Sequence, residues 1–310
     1  MTVALFSHPA CLAHDTGPFH PECPDRLRAV MQALEHPDFV PLLRESAPEA
    51  TPEQLALAHP ADYVRALLAV HPDPGNPIHL DGDTLISAGS AEAVRRAVGG
   101  AIAAVDAVME GWARAAFAAV RPPGHHAERA KPMGFCLFNG AAIAALHARA
   151  RWGLQRVAVV DFDVHHGNGT QDIFEADADL FYVSSHQHPC YPGTGAAVER
   201  GVANNILNLP LPPGTTGTEF RRAWERVGLA ALDAWEPELL IISAGFDAHR
   251  ADPLAELRLD TEDFGWITDQ LMAVSDKHCG GRIVSVLEGG YDLGALAASA
   301  ALHVRRLMRQ

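Results

Sequence analysis

The sequence predicts a single-domain α/β fold with a central, predominantly parallel β-sheet and helices on both faces. Three observations carry this. Short apolar runs rich in Val, Ile and Leu alternate with helical patterns along all 310 residues, as crossover-connected parallel strands require. Several runs lack polar alternation, as in residues 157–160 (VAVV), which fits strands buried on both faces. Ionisable clusters stand where these runs end, the edge at which open α/β sheets hold ligands.

The elements follow in order. Residues 3–6 read as a first strand, and 8–24 as a long polar loop. Residues 25–34 have helical spacing through Leu27, Val30, Met31 and Leu34. Two short helices, 52–57 and 61–70, are separated by His59-Pro60. Pro72, Pro74, Gly75, Pro77 and Gly82 mark 71–83 as loop. Residues 87–110 form a long Ala-rich helix, open to interruption at Gly99-Gly100. A strand at 117–120 and a helix at 139–151 precede the strand that starts at Val157. Strands at 180–184 and 205–209 come next, then an amphipathic helix at 219–235. A strand at 239–243, a helix at 263–277, a strand at 283–287 and a helix at 295–308 close the chain. No repeat, linker or composition step divides it, so residues 1–310 are expected to form one domain.

Composition narrows the class. Hydrophobic residues make up 48% and charged residues 20%, the balance of an ordinary globular protein. Charged residues, His and Gly interrupt every apolar run before it can span a bilayer. The N-terminal segment lacks the basic region of a signal peptide. Five cysteines, an odd number without C-x-x-C spacing, argue against a disulfide framework and for a reducing compartment. A cytoplasmic location is therefore expected. The net charge of −14 and the lack of a Lys/Arg stripe argue against nucleic-acid binding. A negative field favours cationic partners such as Lys-rich peptides or polyamines.

The chemistry concentrates at four strand ends. Residues 157–171, VAVVDFDVHHGNGTQ, pass from an apolar strand into Asp161, Asp163, His165, His166 and Asn168. Such a cluster is costly at a sheet edge unless something binds it. Strand alternation would send Asp161, Asp163 and His165 to one side and Phe162 and Val164 to the other. The strand at 117–120 runs into RPPGHH, which places His125 and His126 just beyond a stiff turn. Residues 239–243 lead to Asp247 through Gly245. Residues 283–287 lead to Glu288-Gly289-Gly290-Tyr291, a turn able to swing Tyr291 over the edge. Taken singly, Tyr291 reads as a turn tyrosine, His125-His126 as a buried pair and Asp247 as a helix cap. Their common position at carboxyl ends of strands favours one site.

Asp163, His165 and Asp247 make a set of two carboxylates and one imidazole, the pattern of a catalytic zinc with an open position. Fe²⁺ or Co²⁺ also suits it. His126 is the candidate general base, His125 its neighbour oriented by Asp161, and Tyr291 the donor to a developing oxyanion. These parts describe metal-assisted amide hydrolysis.

RPPGHHA, GFCLFN, DFDVHHGNGTQ, YPGTG, SAGFDAHRADPL and LEGGYD occur in this order. With the opening HPACLAHDTGPFHPECPDRL, they resemble the zinc-dependent histone deacetylase family of the arginase/deacetylase superfamily. The class II enzymes and bacterial histone deacetylase-like amidohydrolases are the nearest pattern. The resemblance spans nearly the whole chain and implies the arginase/deacetylase-like fold. It implies Zn²⁺ at Asp163, His165 and Asp247, and catalytic roles for His125, His126, Tyr291, Asp161 and Asn168. It also implies a structural K⁺ near Asp161, Asp163, His165, Ser184 and Ser185. Phe135 and Tyr191 fall where the family places the aromatic walls of its acyl-lysine channel, which Gly134, Leu254 and Gly289 would also line.

Three positions refine the expectation. Asn168 stands where class I enzymes have Asp behind the second His, so His126 is expected to lack a carboxylate partner. Tyr291 is present where some class II members carry His, which favours a competent deacetylase. Leu254 stands where a polyamine-selective relative carries Glu, which favours acyl-lysine over acetylpolyamine. The expected partner is an acetylated lysine peptide or protein, or a small acylated amine. Neither nucleic acid nor membrane is expected as a partner, and self-association is compatible with all of this.

Overall fold

The computed structural model describes residues 2–309. Strands are β1 (Val3–Ser7), β2 (Leu43–Ser46), β3 (Ile78–His79), β4 (Leu85–Ile86), β5 (Ala115–Ala118), β6 (Val157–Asp161), β7 (Leu180–Gln187), β8 (Ile206–Leu211), β9 (Leu239–Ala244) and β10 (Ile283–Leu287). Helices are α1 (Pro24–Ala33), α2 (Pro52–Leu55), α3 (Ala61–Leu68), α4 (Ser90–Glu110), α5 (Gly140–Trp152), α6 (Asn168–Phe174), α7 (Gly217–Ala223), α8 (Leu229–Trp235), α9 (Thr261–His278) and α10 (Leu293–Leu307). A π-helical segment, Trp224–Gly228, joins α7 to α8. No helix among the described residues is long and apolar enough to cross a membrane.

Eight strands form one sheet in the order β2-β1-β5-β10-β9-β6-β7-β8, and every pairing in it is parallel. The predicted α/β architecture is thus realised. The central strands are sheathed by helices, so Val157, Val159, Val160, Leu239, Leu240, Ile241 and Ile242 are fully buried. Each such side chain contributes about 1.5–3 kcal/mol of burial free energy. Parallel pairing sets all carboxyl ends on one edge. The four strands whose ends carry the ionisable clusters, β5, β10, β9 and β6, are contiguous at the centre.

Local rules account for the helices. Asn139 caps α5 by accepting from the Ala142 amide at 2.9 Å, and Gly153 ends it with φ of 69°. Thr216 with Glu219, and Asp260 with Asp263, form capping boxes for α7 and α9. The expected weak point at Gly99-Gly100 is not a break, because α4 runs through it. A Cβ at Gly99 would lie 1.9 Å from the Pro48 carbonyl oxygen. The glycines are there for close approach of the 47–50 segment, which outweighs their poor helix propensity.

Two elements, β2 and α6, are absent from the sequence reading, and two further expectations are corrected. The exposed edge strand β2 has no apolar alternation to reveal it. The predicted loop 71–83 contains β3, which pairs with β4. The strand at Val157 ends at Asp161, so Asp163 and His165 lie in a turn rather than on an alternating strand. Residues 168–174 are helical, beginning at Asn168.

Candidate active site

The turn after β6 is folded by its own carboxylates. Asp163 Oδ1 accepts from the His165 amide at 2.9 Å, and Asp161 Oδ1 from the Asp163 amide at 3.1 Å. Asp247, arriving from β9, accepts from the Val164 amide at 2.8 Å. From β10, the Gly289 amide donates to Asp163 Oδ2 at 2.8 Å. Three strand ends are thereby stitched around two aspartates.

His165 Nδ1 lies 3.3 Å from Asp163 Oδ1 and 3.1 Å from Asp247 Oδ2. One ligand atom each from Asp163, His165 and Asp247 falls within 4.8 Å of the others, and all three residues are buried. Glycines keep the space open. A Cβ at Gly245 would come within 2.0 Å of Asp163 Oδ2, and one at Gly289 within 2.3 Å of Asp247 Oδ2. Burial, followed by the neighbouring Asp163 carboxylate, pushes Asp247 up to about 7. Two buried carboxylates against one imidazole are an excess of acceptors and of negative charge in the interior, and the donor set fits a divalent cation of the zinc type.

His125 and His126 lie beside this set, their ring centroids 4.0 Å apart. His125 Nδ1 pairs with Asp161 Oδ2 at 2.9 Å, and the Tyr182 hydroxyl donates to the same oxygen at 2.9 Å. Burial opposes charge on His125, but the carboxylates of Asp163 and Asp161 prevail and hold it at about 10. His126 is the opposite case. Burial, then the nearby His125 and His165, drive it well below the ordinary imidazole value. Its Nδ1 is 2.8 Å from Asn168 Oδ1.

As expected from Asn168, the partner of His126 Nδ1 is an amide oxygen and not a carboxylate. Asn168 Nδ2 donates to Glu128 Oε1 at 2.7 Å, so a carboxylate stands behind the amide. Sequence reasoning did not single out Glu128.

Tyr291 is half-buried at the β10 end, and its amide donates to Asp252 Oδ2 at 2.7 Å. Desolvation holds its phenol well above the usual value, so it is protonated at neutral pH. The Arg26 guanidinium lies 4.9 Å from its ring centroid. Phe135, with φ of 70°, sets its ring 5.9 Å from Tyr291. Tyr191 is 39% exposed, with its ring 5.2 Å from His126 and 6.2 Å from His165. Gly134 packs so tightly that a Cβ would lie 2.4 Å from His126 Cδ2. Leu254 is 37% exposed, and its backbone amide donates a hydrogen bond to Asp252 Oδ1 at 3.1 Å.

Of the residues assigned to a potassium site, Asp161 and Ser184 are register partners on β6 and β7. The Ser184 hydroxyl pairs with His186 Nδ1 at 2.8 Å, and Ser185 accepts from the Trp224 indole at 3.1 Å. Their hydroxyls therefore serve different networks.

A buried charged layer beneath the site is absent from the sequence reading. Glu22, Arg26 and Arg121 are fully buried. Arg121 grips Glu22 through Nε and Nη2, each at 2.7 Å, and Arg26 adds a contact at 3.0 Å. Burial would raise the Glu22 carboxyl, but Arg121 and then Arg26 bring it down to about 2. Arg26 also donates to the carbonyls of Glu288 and Gly290, bracing the turn that carries Tyr291. Glu288 in turn accepts from the Gly124 amide at 2.7 Å, the His125 amide at 3.2 Å and the Ser243 hydroxyl at 3.1 Å.

Known proteins share this arrangement of chain and sheet. The histone deacetylase domain matches residues 20–307. The histone deacetylase-like amidohydrolase of Pseudomonas aeruginosa is 38% identical, over 93% of this chain and 81% of that protein. Histone deacetylase 14, chloroplastic, of Arabidopsis thaliana is 37% identical, over 98% and 76% respectively. The HDA15 HD domain crystal structure superposes with a TM-score of 0.92 at 36% identity, covering 99% of this chain and 90% of that one. Relatives named deacetylases or amidohydrolases match more than nine-tenths of this chain, and the protein is therefore an enzyme of the histone deacetylase family.

Proposed function

We propose that the enzyme hydrolyses the amide of Nε-acetyl-lysine side chains, or of closely related acyl-lysines, with Zn²⁺ held by Asp163, His165 and Asp247. The observation that carries this is the convergence of those three ligand atoms beside a neutral His126 and a protonated Tyr291. When bound, zinc supplies Lewis acidity and lowers the pKa of water.

The chain's own residues do the rest. Neutral His126 takes the proton from the attacking water and later gives it to the leaving amine. His125, paired with Asp161, supplies a fixed positive charge beside that water. The Tyr291 phenol donates to the oxyanion forming on the substrate carbonyl, and Arg26 fixes the backbone from which it projects. Phe135 and Tyr191 flank the acyl-lysine stem, with Gly134 and Gly289 leaving room near the carbonyl and Leu254 at the outer edge. Potassium is proposed near Asp161, Asp163, His165, Ser184 and Ser185. The partner is an acetylated lysine peptide or protein in the cytoplasm, with residues 1–310 acting as one domain.

A second reading, acetylpolyamine hydrolysis, has one observation in its favour. Burial first, and then the carboxylates of Asp83, Asp81 and Glu128, hold the Tyr191 phenol above its ordinary value, and those carboxylates would attract the second ammonium of a polyamine. Turnover of an acetyl-lysine peptide, acetylputrescine and acetylspermidine by the zinc-loaded enzyme separates the two. The peptide is expected to be preferred. A clear polyamine preference overturns the substrate assignment, and no turnover of any acylamide overturns the hydrolase chemistry proposed for this site.

A further inference from the structure

We propose that Glu128 is a positioning residue that sets the tautomer of His126 through the side-chain amide of Asn168. The proposal rests on His126 acting as the general base in the deacetylase reading above.

The argument is one of donors and acceptors. Glu128 Oε1 stands 2.7 Å from one end of the Asn168 amide, and His126 Nδ1 stands 2.8 Å from the other. An asparagine amide has a donor end and an acceptor end, and either can in principle face a histidine. An ionised carboxylate only accepts. Placing the amide oxygen against it would set two acceptors at hydrogen-bond distance, so the NH₂ must face Glu128. The amide oxygen then faces His126, and because it too only accepts, Nδ1 must carry the proton. In a neutral imidazole this leaves the Nε2 lone pair free, the form a base needs.

The remaining neighbours do not impose this order. Asn168 Nδ2 also approaches Met133 Sδ at 3.3 Å, a weak acceptor. The rings around His126 belong to His125, His165 and Tyr191, and none contacts the Asn168 amide. Glu128 itself is held by backbone, its amide donating to the Lys131 carbonyl at 3.0 Å in a short antiparallel bridge. Its half-buried side chain is free to act on Asn168 without supporting the core.

Two substitutions test this in the zinc-loaded enzyme. Glu128→Gln keeps the shape but can present either a donor or an acceptor, and so relaxes the constraint. Glu128→Lys presents donors only, which turns the amide around and makes His126 Nδ1 an acceptor. Steady-state kinetics on an acetyl-lysine peptide would be read beside long-range ¹H–¹⁵N spectra of labelled imidazoles, with the His126 signal assigned by its loss in His126→Ala. The expected result is an Nδ1–H tautomer in the wild type and an Nε2–H tautomer in Glu128→Lys. In Glu128→Lys kcat should fall by about 10²–10⁴, the scale of losing a correctly poised general base, while KM is unchanged. An unchanged tautomer in Glu128→Lys overturns the proposal, whether kcat holds or falls, because any loss would then be a charge effect. A wild-type enzyme without turnover would remove the deacetylase reading, and the spectra would still decide what Glu128 does.

Discussion

His165 stands between Asp163 and Asp247, its Nδ1 within 3.3 Å and 3.1 Å of one oxygen from each. The aspartates arrive on neighbouring strands, β6 and β9, yet share one imidazole. Replacing Asp247 with alanine is expected to abolish zinc retention, measured by metal analysis after dialysis. Because metal that binds only the folded state raises its stability, chelation should lower the Tm of the wild type and zinc should restore it. The variant should show neither response.

The second prediction concerns Tyr291. A phenol held protonated beside the proposed metal ligands is placed to stabilise an oxyanion, so Tyr291→Phe should lower kcat by about 10²–10³, the scale of losing one such donor. Since Arg26 braces the backbone rather than the hydroxyl, the Tm should be retained. An unchanged rate removes Tyr291 from the mechanism.

Third, the buried layer is a stability element. Glu22→Gln strips Arg26 and Arg121 of their carboxylate, and breaking a buried pair in this way costs about 3–5 kcal/mol, to be read from urea unfolding. Glu22 titrates at about 2 in the fold, against 4.5 ordinarily. Its contribution is therefore fully present above pH 4.5 and is lost as the pH falls towards 2. The variant should lose that part of the acid dependence.

A fourth prediction comes from imidazoles buried in neutral form. Burial lowers His14, His59 and His186 to about 4 and His303 to about 3. The unfolded chain binds protons at these sites from pH 6.5 downwards, and the folded chain does not. Stability is thus unaffected by them above pH 6.5 and declines as the pH falls to about 4. His303 lies between Thr268 and Ser285 at 2.7 and 2.8 Å. His303→Gln should flatten this slope in urea titrations across the same range.

Finally, Gly134→Ala should impair turnover. Gly134 has φ of 55°, and an added Cβ would meet the His126 ring. Displacing a general base by about 1 Å costs on the order of 10² in rate. Steady-state kinetics with metal content held equal would check it, and a wild-type kcat would show that His126 tolerates the shift.

Much of this architecture is legible in the sequence. Runs such as 157–160 and 239–243 announce buried parallel strands because both faces are covered. The chemical residues are equally legible, since Asp163, His165, Asp247, His125, His126 and Tyr291 all follow such runs. What escapes is whatever depends on a partner far along the chain. Glu22, Arg26 and Arg121 read as loop or surface charges, and only their mutual contact makes them interior. Glu128 is ordinary until Asn168 is seen 2.7 Å away. The strand β2 hides because its four residues are exposed, and the turn after Asp161 hides because carboxylate-to-amide bonds, not alternation, shape it.

The placement of β10 bears on how the site is held together. This strand is the last to be synthesised, yet it sits between β5 and β9. Without residues 283–287 the sheet would divide into β2-β1-β5 and β9-β6-β7-β8, leaving the facing sides of β5 and β9 as open edges prone to wrong pairing. His125 and His126 follow a strand of one group, and the proposed metal ligands Asp163, His165 and Asp247 follow strands of the other. One central strand therefore closes both edges and holds the two halves of the site in a single sheet.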